Sequence, residues 1–81
     1  MVNNFSNEQK ALMLTQKGVG ETVIKRLEEI GICSFKQLAN EDAQEITQQI
    51  AQMLGATCWA NSPQARKAIE ILIDLAKQHQ N

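Results

Sequence analysis

The chain has 81 residues, of which 43% are apolar and 21% charged, with a formal net charge of −1 and a pI near 5.7. A domain of this length buries only about 60 to 65% of the surface its unfolded chain exposes, so there is room for one thin core and a single domain spanning 1–81, ordered over about 5–78. A near-neutral field does not draw in polyanions as a strongly basic domain would, so any nucleic-acid binding must come from a local site.

No stretch reaches the roughly 18 consecutive apolar residues of a spanning helix. The start, MVNNFSNEQK, lacks a basic region followed by an apolar one, which predicts a cytoplasmic chain with no membrane partner. Cys33 and Cys58 are then expected as reduced thiols, and their spacing makes no metal site. Four glycines, one proline, no tyrosine and little β-branched alternation argue against a sheet.

Ser6 followed by Gln9 has the spacing of a capping box, and a first helix carrying Leu12, Met13 and Leu14 inward should end near Gln16. Lys17-Gly18-Val19-Gly20 interrupts it. Two glycines around one apolar residue permit a tight reversal, and positive φ is expected at both, so a β-branched residue at either would be strained. In the second helix Val19, Val23, Leu27 and Ile30 recur at helical steps with Ile24 beside them, and Gly31 stands where a left-handed cap belongs.

Ser34 can cap a short turn carrying Phe35, Leu38 and Ala39. Asn40 is the expected cap of the next helix, with Glu41 and Asp42 at the positive end of its dipole. That helix should bury Ala43, Ile46, Ile50, Met53 and Leu54 and stop at Gly55. Residues 56 to 61 make a loop. Ser62-Pro63 is a strong start for a last helix reaching about Gln78. Its apolar residues, from Ala65 and Ala68 through Ile69, Ile71, Leu72, Ile73, Leu75 and Ala76, spread over roughly 200°, wider than a one-sided surface stripe. Such a helix is either central to the core or shared with a partner or a second copy.

Leu14 to Ile32, LTQKGVGETVIKRLEEIGI, resembles the helix-hairpin-helix motif: Gly-apolar-Gly between two helices, closed by Leu27, Gly31 and Ile32. The wider order, with SFKQLA in a short helix, a Cys-Trp loop and SPQARKAI opening the last helix, is similar over Phe5 to Lys77 to small bacterial helix-hairpin-helix proteins of the pathogenicity-locus or mitomycin-resistance type. It also resembles the C-terminal domain of TfoX competence regulators. The resemblance implies an all-α, SAM-domain-like bundle of about five helices holding one hairpin, and sequence-independent binding of a DNA backbone at Gly18, Val19, Gly20 and the first turn of the second helix.

The chemistry of such a site is simple. Backbone N–H groups around Gly18 to Thr22 at the start of a helix can hold a phosphate without base contacts, with Lys17, Lys25 and Arg26 as cationic partners. Glu21 follows the hairpin directly and can supply the negative charge itself. Thr22 stands where DNA-binding relatives often carry a lysine or arginine, and Lys25 lies four residues from both Glu21 and Glu29, so its charge can be answered within the helix. Two readings follow: a non-catalytic module binding nucleic-acid backbone weakly, or a protein-interaction or assembly module with a purely structural hairpin and its partner surface on the last helix.

No catalytic residue, metal ligand or cofactor is expected. His79, the only histidine, falls in a tail expected to fray, where a general base could not be held. Cys58 has no basic residue nearer in sequence than Arg66 to activate it and reads as small filler beneath Trp59. Glu28-Glu29 and Glu41-Asp42 read as solvated charges, since adjacent helical positions face different ways. Met1, Met13 and Met53 read as packing residues.

Overall fold

A computed structural model describes residues 4–79; Met1 lies outside them. Five helices follow in order, α1 (Asn7–Leu14), α2 (Glu21–Glu29), α3 (Phe35–Leu38), α4 (Ala43–Leu54) and α5 (Pro63–Gln78), and no strand occurs among the described residues. The all-α expectation holds. The radius of gyration, 11.6 Å, is that of one compact body of this length, for which about 11.7 Å is expected.

Local chemistry fixes most helix ends. Ser6, Ser34, Asp42 and Ser62 each accept the backbone N–H three residues on, from Gln9, Gln37, Glu45 and Ala65, satisfying a donor that the helix start would leave open. The start of α4 corrects the expectation placed on Asn40. Its amide Nδ2 instead donates to the Lys36 carbonyl at 3.0 Å, closing α3, and the chain runs two residues further before Asp42 takes the cap.

Gly31, at φ +92, ends α2 as expected. Its N–H reaches the Glu28 carbonyl at 3.1 Å and the Ile32 N–H reaches that of Leu27 at 2.9 Å, the paired bonds of a left-handed helix stop. Gly55, at φ +67, ends α4 with the same pair, from Gly55 to Gln52 and from Ala56 to Ala51.

The middle of the core belongs to α5, which packs on α2, α3 and α4. Ala68, Ile69, Leu72, Ile73, Leu75 and Ala76 are buried, with Ala65 and Ile71 half-buried. The wide apolar arc is therefore covered by this chain itself. Each large side chain in it contributes about 1.5–3 kcal/mol of burial.

Elsewhere the apolar pattern overstates the core. In α1 only Met13 is buried, while Leu12 and Leu14 are exposed, because residues one step either side of Met13 are turned about 100° away from the face it presents. Met53 and Leu54 are likewise exposed on the last turn of α4. Thr47 and Ala51 join Ala43, Ile46 and Ile50 inside instead. The Thr47 hydroxyl donates to the Gln44 carbonyl at 2.8 Å, which removes the cost of burying it.

Two further expectations are corrected at the periphery. Trp59 does pack on the core, but Cys58 is exposed and fills nothing; neither cysteine is in a disulfide. His79 follows the last turn of α5, its N–H on the carbonyls there and its exposed ring 5.9 Å from that of Phe35. Glu28 is no solvated charge: its side chain is only 13% exposed and accepts the Phe5 N–H at 2.9 Å.

Candidate nucleic-acid interface

The turn between α1 and α2 is built from its ends inward. Thr15 closes α1, its hydroxyl donating to the Leu12 carbonyl at 2.6 Å. Val19 then drops into the core and donates its N–H to the Gln16 carbonyl at 3.2 Å. With Val19 as the plug, Gly18 and Gly20 on either side of it are exposed.

The two glycines do different work. Gly18 holds φ +85, a conformation that L side chains rarely adopt. Gly20 sits at φ −119 and ψ 177, in extended geometry, as the residue before α2. Positive φ is therefore needed at Gly18 alone. A Cβ at either position would meet no atom within 4 Å, so the backbone here faces open space.

A consequence falls on α2. Among the five described helices it alone starts without a side-chain cap, because Gly20 has no side-chain oxygen to offer. Its opening N–H groups carry the positive end of the helix dipole. Lys17, Glu21, Thr22 and Lys25 are all exposed around this end.

The structure gathers some of the expected residues and separates others. Thr22 and Lys25 line a shallow groove of about 430 Å³ together with Glu21, Ile24 and Glu28 of α2 and Lys10 of α1. Lys17 stays on the turn. Arg26 points elsewhere and is engaged, with Nη1 2.6 Å from Glu29 Oε1 and a buried Nε that no acceptor meets. The helix-internal pairing expected for Lys25 thus belongs to Arg26, by an i,i+3 step. Val19 adds neither side chain nor free donor, since both are used within the fold.

Lys10 and Glu28 are the residues that sequence reasoning missed. Lys10 Nζ lies 3.8 Å from Glu28 Oε2, the same oxygen that holds the Phe5 N–H. The groove therefore carries two lysines and two glutamates and no net formal charge. Among the described residues no group of three or more His, Cys, Asp or Glu side chains could hold a metal ion, and no helix is long and apolar enough to cross a membrane. No protein-family model, no curated protein and no solved structure matches this chain.

Proposed function

We propose that this is a non-catalytic, cofactor-free, cytoplasmic helix-hairpin-helix module that binds the phosphate backbone of DNA weakly and without sequence preference. The observation that carries the reading is the start of α2, which opens without a side-chain cap from an exposed glycine turn. A phosphate oxygen can accept from the first-turn N–H groups and stand in for the missing cap. Lys17 and Lys25 add screened attraction, Thr22 can donate its hydroxyl, and Arg26 contributes only by leaving Glu29. The resemblance of Leu14 to Ile32 to the helix-hairpin-helix motif points the same way.

A second reading, a protein-interaction or assembly module, is favoured by a different observation. Leu12 and Leu14 are exposed on the short α1, while the groove beside that helix is neutral rather than basic. In this reading the hairpin is structural and the partner surface lies on α1, since the face of α5 that suggested a partner is already covered.

Titration with mixed-sequence duplex DNA separates the two. The first reading expects dissociation constants on the order of 10⁻⁴ to 10⁻⁶ M near physiological salt, indifferent to sequence. Glu21→Lys should tighten binding, by removing a carboxylate from the helix start and adding a cation, and Lys25→Glu should loosen it. No binding at low salt, with Glu21→Lys also silent, transfers the function to the second reading.

A further inference from the structure

We propose that Glu28 acts as a resident counter-anion in the α1–α2 groove, occupying Lys10 and so withholding it from a phosphate backbone. The inference rests on the nucleic-acid reading of this site and concerns what sets its strength.

The argument turns on an asymmetry within one ion pair. The Glu28 carboxylate is 13% exposed and pinned, its Oε2 accepting the Phe5 N–H at 2.9 Å. Lys10 is 39% exposed and reaches that same oxygen only at 3.8 Å. The cation is the more exposed and more distant partner, whereas the carboxylate is held by a backbone N–H. A phosphodiester entering the groove meets Lys25 and the Thr22 hydroxyl, but Lys10 already has an anion beside it, and that anion repels the ligand. At 3.8 Å, with the lysine partly in solvent, such a pair is weak, so the restraint is modest and can be lifted by one substitution. A lysine already neutralised by a carboxylate also has few counterions to release, so it adds little to the salt dependence of binding.

The test is a gain of function, which misfolding cannot imitate. Glu28→Gln keeps an oxygen to accept the Phe5 N–H and removes only the charge. It should tighten duplex DNA binding about two- to fivefold, the worth of one weak, partly exposed ion pair. It should also steepen the slope of log K against log salt by about 0.9, one added phosphate contact. Both changes should vanish when Lys10→Gln is added, and Glu70→Gln, which makes the same change in net charge at an exposed site on α5 outside the groove, should produce neither.

In the otherwise unaltered chain Lys10→Gln should weaken binding less than Lys25→Gln does; an equal loss shows that Lys10 is not withheld and overturns the proposal even if Glu28→Gln cannot be purified. If the chain binds DNA through Lys25 but Glu28→Gln does no more than Glu70→Gln, the counter-anion role falls and the nucleic-acid reading stands. If only Glu28→Gln binds, through Lys10, the counter-anion role stands and the native chain is not a DNA binder. Silence from every variant overturns both.

Discussion

Replacing Gly18 by alanine isolates the backbone requirement of the turn. The added Cβ would touch nothing within 4 Å, so no steric term enters and the cost is that of holding an L-residue at φ +85, about 1–2 kcal/mol. Against this, alanine restricts the unfolded chain and returns about 0.4–1 kcal/mol. The net loss is about 1 kcal/mol, which lowers the melting temperature of a domain this size by about 4–8 °C. Gly20→Ala has the same open space and the same unfolded-state gain but no strain, since φ is −119. It forfeits the advantage of glycine over alanine before a helix, which the unfolded-state gain roughly offsets, so its melting temperature should stay near that of the parent. Asparagine tolerates left-handed geometry, and Gly18→Asn should recover much of what Gly18→Ala loses. Thermal melts followed by helical circular dichroism decide the matter. Equal losses at the two glycines, or no recovery with asparagine, would refute the assignment of strain to Gly18.

Leu75→Glu tests what covers α5: because Leu75 is buried within its own chain, the variant should lose its cooperative melt, whereas sedimentation of the parent should give a monomer. A folded Leu75→Glu monomer formed from a parent dimer would contradict the packing. At the start of α4, Asp42→Ala should cost about 1 kcal/mol in denaturant unfolding, and Asn40→Ala, which deletes only an exposed bond to the Lys36 carbonyl, a few tenths. The reverse order would restore Asn40 as the cap.

What could be read from the sequence was short-ranged. Ser6, Ser34 and Ser62 act on a backbone group three residues away, and Gly31 and Gly55 close bonds three residues back while the residue after each closes one five back, so each signal and its effect lie in one window. The bounds of α5 follow from Ser62-Pro63 and a long apolar period. What could not be read depends on a neighbour. Three successive apolar residues in α1 cannot all face one core, and only the direction from which α2 approaches selects Met13 over Leu12 and Leu14. Lys25 and Arg26 both have a glutamate at helical spacing, and the rotamer that wins is decided by the surface each side chain crosses. Lys10 and Glu28 meet only because α1 and α2 pack together, so no local pattern could have joined them.

The same pairings limit how the candidate site can behave toward salt. A polyanion releases counterions in proportion to the cations that neutralise it, with a slope near −0.9 for each phosphate contact on duplex DNA. Of the four cations near the α1–α2 turn, Arg26 is held by Glu29 at 2.6 Å and Lys10 lies beside Glu28 at 3.8 Å. Lys17 and Lys25 are left to meet phosphates, giving about two contacts and a slope near −1.8. If the chain binds DNA as proposed, the remaining attraction would come from the N–H groups of α2, which are fixed dipoles and displace few counterions. Binding should therefore weaken only about tenfold between 50 and 200 mM salt, far less than the roughly 10³- to 10⁵-fold of proteins making six to ten contacts. A measured slope steeper than about −4 would mean that Arg26, Lys10 and further lysines all engage the backbone, and the ion pairs seen here would then have to open on binding.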